Sequence, residues 1–325
     1  MFVPSLNRGS QPGWRAGCTY SARPALKFAR QSDRQFVRGE AAHMHGIPSH
    51  STVASKSSAP RGSLWRRGLS LLFGRREALQ PKILILTPIK DAADCIPVYC
   101  ELLLQLSYPH HLISIGLLES DSKDGTYRDI QKQLPRLRRE FRRVRSWKKD
   151  FGYRAPSWLP RWAPEIQFAR RTVLAKSRNH LLFHALDDED WVLWVDVDVI
   201  EYPADILEQL LAISKDIVHP HCVRTFGGPT FDRNAWRDQG RLHLDDLRSE
   251  GAFVELDTVG GTMLLVRADL HREGLIFPPF PYGRPNARIR TDTPELETEG
   301  LGIMAQDMGY KCWGLPYLEI RHHKQ

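Results

Sequence analysis

The sequence lacks several features that would place a chain in a common class at once. No run approaches 18 consecutive apolar residues, which excludes an ordinary membrane-spanning helix. The five cysteines are scattered without a C-x-x-C pair, which argues against a disulfide scaffold or zinc cluster and favours a reducing compartment. Neither G-x-G-x-x-G nor G-x-x-x-x-G-K-[ST] occurs, so that neither a Rossmann dinucleotide site nor a P-loop is indicated.

A uniform basic excess is also absent, although the chain carries a formal charge of +8. Residues 1–80 hold 13 Lys and Arg against 3 Asp and Glu, so that the remaining residues hold 33 against 35. One further basic block lies at 128–149, where apolar residues at helical spacing predict an amphipathic helix with a solvated basic face. This distribution speaks against a nucleic-acid-binding domain, and we expect no nucleic acid partner.

Residues 1–79 show no sustained period of 2 or 3.6 and are rich in Arg, Ser, Pro and Gly. We predict a disordered basic leader here, because so little apolar surface cannot offset the entropy of ordering. Its short apolar stretch Leu69–Phe73, flanked by arginines, is either part of a solvated tail or a peripheral contact with an anionic membrane. The sequence alone thus predicts a cytoplasmic protein or one that is peripheral at a membrane.

Residues 80–325 read as one α/β domain. Short apolar runs at 83–86, 113–118 and 191–195 predict buried strands, and segments with apolar residues three and four apart lie between them. Strand, helix, strand is the signature of a mostly parallel sheet covered by helices on both faces. Further strands are predicted at 217–223 and 258–266, and a late helix in "ETEGLGIMAQDMGY".

Asp196 and Asp198 follow the cleanest of these apolar runs, "WVLWVDVDVI". Ligands of open α/β sheets bind beyond the carboxyl ends of the strands. Two carboxylates one residue apart at such an end can converge on a divalent cation that keeps open positions for phosphate oxygens. A bare D-x-D is common, yet its position here predicts a site for Mn²⁺ or Mg²⁺.

Polar residues after the first two strands indicate the rest of a nucleotide site, although turn chemistry alone explains such residues as well. The candidates for binding a nucleotide-sugar donor are Thr87, Pro88, Asp91, Glu119, Asp121, Arg178 and Asp196. Arg178 is included because its guanidinium, near the acid pair, would neutralise a diphosphate leaving group.

Several long motifs in order resemble the fungal mannan polymerase subunit family, glycosyltransferase family 62. They are "ILILTPIKDA", "AKSRNHLL…WVLWVDVDV", "ELDTVGGTMLLVRADL", "FPPFPY", "ETEGLGIMAQDMGYKCWGLP" and a closing histidine. The resemblance spans about residues 82–322. It implies a GT-A fold, the nucleotide-diphospho-sugar transferase fold, and transfer of α-mannose from GDP-mannose with retained configuration.

The resemblance also implies roles for particular residues. Asp196 and Asp198 match the metal-binding pair, and His322 matches the terminal metal ligand. Strand alternation would point His322 towards the sheet and its cleft, and His323 towards solvent. Glu299 falls in the segment near the donor sugar and acceptor. Together with Asp198, we take Glu299 and Asp257 as the candidates for contact with the reacting sugar.

We therefore expect a metal-dependent hexosyltransferase that transfers mannose to a glycan acceptor. Two alternatives stay open: an inverting family-2-type transferase that uses another nucleotide sugar, with Glu299 as general base, and a non-catalytic subunit of a glycosyltransferase complex. Complex formation with other glycosyltransferases is expected from the resemblance. If the chain is fungal and has a membrane anchor, the resemblance places it in the Golgi lumen.

Overall fold

The structure is a computed structural model that describes residues 80–161, 163–283 and 295–323. The predicted leader 1–79 lies outside the described residues. The strands are β1 (Ile83–Ile89), β2 (Ile113–Glu119), β3 (Arg143–Lys148), β4 (Trp191–Val195), β5 (Val199–Glu201), β6 (Ile217–Val223), β7 (Val254–Leu256), β8 (Met263–Arg267) and β9 (Cys312–His322). The helices are α1 (Ile96–Leu104), α2 (Thr126–Glu140), α3 (Pro164–Ala185), α4 (Ile206–Ala212), α5 (Ala268–Arg272) and α6 (Glu297–Asp307).

Four parallel strands form one half of the sheet, in the order β3-β2-β1-β4. Ile85 of β1 lies opposite Ile115 on one side and Leu193 on the other. Strands buried on both faces need the continuous apolar runs that the sequence has at these positions. The carboxyl ends of β1, β2 and β4 therefore meet at one edge of the sheet.

The other half of the sheet is mixed. Strand β8 runs antiparallel to β4, and β6 follows it antiparallel to β8. Strand β9 is parallel to β6, whereas β5 and β7 pair antiparallel with β9. The predicted α/β class with helices on both faces is confirmed, and the sheet is parallel through four strands and mixed beyond them.

Helices cover both faces of the sheet, as predicted. One hydrophobic core contains buried residues of α1, α2 and α4, for example Tyr99, Leu134 and Leu207. The second core, on the opposite face, contains residues of α3, α5 and α6, for example Leu181 and Leu301. No helix of the described part of the chain is long and apolar enough to cross a bilayer.

Two predicted elements differ from the structure. The basic block 128–149 is not one helix: α2 ends at Glu140, and β3 begins at Arg143 and pairs with β2. The strand predicted at 258–266 begins only at Met263, because the preceding "TVGGT" packs closely against side chains. A Cβ on Gly261 would stand 2.5 Å from Nη2 of Arg178, so only glycine permits this approach.

Candidate active site

A cavity of about 480 Å³ opens at the carboxyl ends of β1, β2 and β4. Of the residues singled out in the sequence, Pro88, Asp91, Asp196 and Asp198 line it. Its other walls come from the N-terminal half of α3 and from the loop between β3 and α3. The cavity lies where ligands of open α/β sheets bind, and its volume suits a nucleotide-sized ligand.

Asp196 and Asp198 lie in the tight turn between β4 and β5. The amide of Asp196 donates to the carbonyl of Thr262 at 2.9 Å, and the amide of Val199 closes the turn on the Asp196 carbonyl at 3.1 Å. The Asp198 side chain is largely buried, and that of Asp196 is about a quarter exposed. The backbone thus fixes both acids at the end of the central strand.

His322 is buried against Asp198, with Nε2 at 3.1 Å from Oδ1. Burial alone would lower the pKa of His322, but the hydrogen bond to Asp198 and its charge outweigh burial and raise it. The pKa of Asp198 is correspondingly lowered, since His322 outweighs the effect of burial. The neighbouring His323 is exposed, as the alternation predicts, but it is His323 that lines the cavity, whereas the lining does not include His322.

Asp196 is held by Arg178, whose Nη2 lies 2.9 Å from Oδ1. The pKa of Asp196 is raised to about 6, chiefly by burial; the nearby carboxylates of Asp198, Asp232 and Glu297 act in the same direction, and Arg178 opposes them. The site therefore concentrates negative charge that one buried guanidinium does not fully offset.

These residues fit a hard divalent cation. Carboxylate oxygens and an imidazole are suitable ligands for Mn²⁺, and a cation would stabilise the charged form of Asp196, which burial and the nearby carboxylates disfavour. The 3.1 Å between Asp198 Oδ1 and His322 Nε2 suits two neighbouring ligands of one ion. Among the described residues, however, no three His, Cys, Asp or Glu side chains already converge as a complete metal site.

The remaining donor-site candidates lie near the cavity without lining it. Thr87 is fully buried, and its hydroxyl bonds to the Tyr99 hydroxyl at 2.6 Å. Glu119 is buried and accepts from the amide of Ser122 at 3.0 Å. Asp121 accepts from the amides of residues 151 and 152, each at 2.9 Å. These three residues shape the loops around the cavity.

Asp91 does line the cavity and is exposed, with a positive φ of 47°. Its carboxylate accepts from the amide of Lys123 at 2.7 Å and pairs with Lys90 at 3.0 Å. The loops after β1 and β2 are thus bonded to each other at the rim.

Glu299 and Asp257 do not line the cavity. Glu299, in the first turn of α6, pairs with Arg171 and accepts from Nε1 of Trp236 at 3.0 Å. Burial raises the pKa of Glu299 to about 7, against the opposing effect of Arg171. Asp257 is buried in the loop after β7 and accepts from the amide of Asp238 at 2.8 Å.

Helix α3 connects these groups to the acid pair. Arg171 binds Glu299 on α6, and Arg178, two turns further on, binds Asp196 and lies 2.9 Å from Glu297 of α6. Seven residues are two helical turns, so both arginines share one face of α3. The start of α6 therefore lies next to the acid pair although Glu299 is outside the cavity.

Sequence reasoning missed three cationic residues that line the cavity: Lys90, Arg161 and Arg170. Lys90 lies within the motif "TPIKDA", and Arg170 directly precedes Arg171. Both could therefore have been predicted from the sequence. Arg161 had no such signal, since its segment "LPRWAP" has neither helical nor strand periodicity.

The family model for Anp1 matches residues 75–250 and 240–281. Similar curated proteins include the mannan polymerase complex subunit mnn9 of Schizosaccharomyces pombe, 30% identical over 75% of this chain and 80% of the relative. The mannan polymerase II complex anp1 subunit of the same organism is 29% identical over 83% of this chain and 71% of its own length.

Among solved structures, a mannosyltransferase of Pyrobaculum calidifontis in complex with GDP-Man and Mn²⁺ has a TM-score of 0.48 and 14% identity. The similarity covers 75% of this chain and 57% of that chain. GalNAc-T7 with UDP, GalNAc and Mn²⁺ has a TM-score of 0.49 and 12% identity, over 77% of this chain and 45% of that one. The chain thus spans only about half the length of these two structures.

Proposed function

This chain belongs to the Anp1 family, and on that premise we propose that it is a glycosyltransferase that moves mannose from GDP-mannose to a glycan acceptor. The observation that carries the proposal is the cavity at the carboxyl ends of β1, β2 and β4, with Asp196 and Asp198 in its wall. Relatives that are subunits of mannan polymerase complexes support mannose as the sugar and a multi-subunit assembly as the setting.

Asp196, Asp198 and His322 would hold the divalent cation, Mn²⁺ or Mg²⁺. Such an ion, when bound, stabilises the negative charge of the departing diphosphate. Arg178 keeps one oxygen of Asp196 in a fixed position, and Asp198 is fixed by His322 and by the turn that follows β4. The ligands are therefore positioned before any substrate arrives, which lowers the cost of assembling the site.

The cavity walls would position the donor so that its sugar faces the acceptor. The Asp91 carboxylate bonds the loop after β1 to the loop after β2, and the Asp121 carboxylate bonds the loop after β2 to the loop after β3; a rim bonded in this way suits recognition of a nucleotide. A retaining transfer requires no general base, and we assign none. We propose that Glu299 and Asp257 contribute from outside the cavity, by fixing the start of α6 and the loop after β7.

We further propose that the chain acts within a complex of glycosyltransferases, as subunits of its family do by name. Its location, in the Golgi lumen or at a membrane surface through the basic leader, is a prediction that fractionation of cells expressing the full chain would test.

A donor panel tests the proposed function. With Mn²⁺ present, we expect GDP-mannose, and not UDP-sugars, to raise the melting temperature and to support mannose transfer. Asp198→Asn should abolish transfer with the fold intact, because it removes a metal-facing charge at nearly constant volume. Asp269→Asn, at an exposed ion pair far from the cavity, is the matched control. Near-normal transfer by Asp198→Asn in saturating Mn²⁺ would contradict the metal site.

The product of the same assay separates the two mechanisms. An α-mannoside, identified by NMR of the anomeric carbon and proton, supports the retaining transfer. A β-mannoside would favour the inverting alternative, in which Glu299 acts as general base.

A further inference from the structure

The described residues of the loop between β3 and α3, 149–161 and 163, form the wall of the cavity that faces Asp198. The loop contributes Tyr153, Ala155, Leu159 and Arg161 to the lining. The Arg161 guanidinium lies 3.6 Å from Oδ2 of Asp198, and about half of the side chain is exposed. At this distance the contact is a loose ion pair and not a hydrogen bond, so the guanidinium donors of Arg161 remain available.

A second guanidinium lies in the same cavity. Arg170, in the second turn of α3, makes one side-chain hydrogen bond, a long one of 3.5 Å to Oε1 of Gln167. No carboxylate of the described residues lies within ion-pair distance of it. Burial and the positive charge of Arg161 both lower the pKa of Arg170, against the opposing effect of Glu297 and Asp196, so the two guanidinium groups repel each other.

The other two arginines on this part of α3 are engaged differently. Arg171 binds Glu299 and the carbonyl of Leu296, and Arg178 binds Asp196 and the carbonyl of Gly261. These hydrogen bonds, made by the Nη2 groups, hold α6 and the acid pair, and neither arginine lines the cavity. Arg161 and Arg170 are thus the arginines of the cavity whose donors are not committed to protein carboxylates at hydrogen-bond distance.

We propose that Arg161 and Arg170 bind the diphosphate of the nucleotide donor, with Arg161 exchanging its loose contact with Asp198 for phosphate oxygens. Guanidinium groups bind phosphate with paired, charge-assisted hydrogen bonds, and an anion between two cations removes their mutual repulsion. This inference rests on the proposed function and makes it more specific, because it assigns the selection of diphosphates over monophosphates to the β3–α3 loop and the start of α3.

Calorimetric titration of the full chain with GDP and with GMP, in Mn²⁺ and again in EDTA, tests the inference. Arg161→Ala and Arg170→Ala should each weaken GDP binding by about tenfold or more, the effect of losing a charge-assisted contact. Binding of GMP should weaken by less than about threefold, because a monophosphate has one phosphate fewer to contact. Arg161→Lys should recover part of the loss, since it keeps the charge and loses the paired geometry.

Arg154→Ala is the matched control: this arginine is exposed in the same loop and does not line the cavity. It should bind GDP as the wild type does. The inference is overturned if Arg161→Ala and Arg170→Ala, folded by their melting curves, bind GDP with wild-type affinity. It is equally overturned if GDP and GMP lose the same factor. Failure of the wild type to bind GDP at all would instead overturn the proposed function, and this inference with it.

Discussion

His322 and His323 allow two adjacent side chains of one type to be compared at the residue scale. His322 is buried with Nε2 at 3.1 Å from Asp198, whereas His323 is exposed and reaches Asp198 through its backbone amide, at 2.8 Å. We expect His322→Ala to weaken Mn²⁺ binding by about tenfold or more, the size of a lost ligand or of a group that orients one. His323→Ala should be close to neutral. Titration of both variants with Mn²⁺ tests this prediction. Equal affinities for Mn²⁺ would show that His322 is not a metal ligand.

Glu299 predicts a pH dependence of stability. Its folded-state pKa, raised to about 7 chiefly by burial, lies above the ordinary value of 4.5. Between these values the folded protein binds more protons than the unfolded chain does. The stabilisation from this group is therefore complete below about pH 4.5 and is lost as the pH rises through about 7.

Glu299→Gln cannot titrate, so it should not lose this stabilisation. We expect the difference in the free energy of unfolding, variant minus wild type, to rise by about 1–3 kcal/mol between pH 5 and 8. Any constant effect of the lost pairing with Arg171 cancels between the two pH values. Urea unfolding of both proteins at both pH values measures this difference. A difference that stays constant would show that the pKa of Glu299 is not raised in the folded state.

At the scale of elements, α6 packs on the backbone that precedes β8. A Cβ added to Gly302 would stand 2.6 Å from the Cα of Thr258. An alanine in an open helix position would stabilise by about 0.5–1 kcal/mol relative to glycine. At Gly302 the close contact with the backbone makes alanine unfavourable instead, and Gly302→Ala should lower the free energy of unfolding by about 1–3 kcal/mol. Denaturant unfolding tests this, and a variant as stable as the wild type would mean that α6 can move away from Thr258 at little cost.

Which elements could be predicted follows from the range of the interactions that form them. Strands β1, β2 and β4 could be predicted from their apolar runs alone, and α3 from the helical spacing of its apolar residues. The spacing of Leu134, Leu137, Phe141 and Val144 continues the pattern of a helix, yet β3 forms because residues 143–148 pair with β2. Strand pairing is a long-range interaction that overrides local periodicity.

The candidate site divides in the same way. Asp196 and Asp198 are set by the strand that precedes them, so their place was predictable from a few neighbouring residues. Arg161 lies beside Asp198 only because the β3–α3 loop folds back over the sheet edge. Thr87 was predicted to contact the donor, but its side chain is fully buried and bonds to Tyr99, whereas Pro88, the next residue of β1, lines the cavity.

At the scale of the whole molecule, we predict that the folded domain does not need residues 1–79. Among the residues that the structure describes, both hydrophobic cores are built from residues between Ile83 and Ile320, and the cavity is lined from Pro88 onward. Deletion of residues 1–79 should therefore leave the melting temperature and GDP binding nearly unchanged, since the leader's sequence has too little apolar surface for a core of its own. Differential scanning calorimetry and titration with GDP compare the truncated and full chains.

The same deletion tests the predicted membrane contact of the leader. The 13 Lys and Arg against 3 Asp and Glu in residues 1–80 predict that the full chain sediments with anionic vesicles at low salt and is released as salt screens the attraction. The truncated chain should stay in the supernatant, and neither form should sediment with neutral phosphatidylcholine vesicles. Unfolding or aggregation of the truncated chain would show that the domain begins before residue 80. Equal sedimentation of both forms with anionic vesicles would assign the contact to the folded domain, where the basic residues of α2 and β3 are the next candidates.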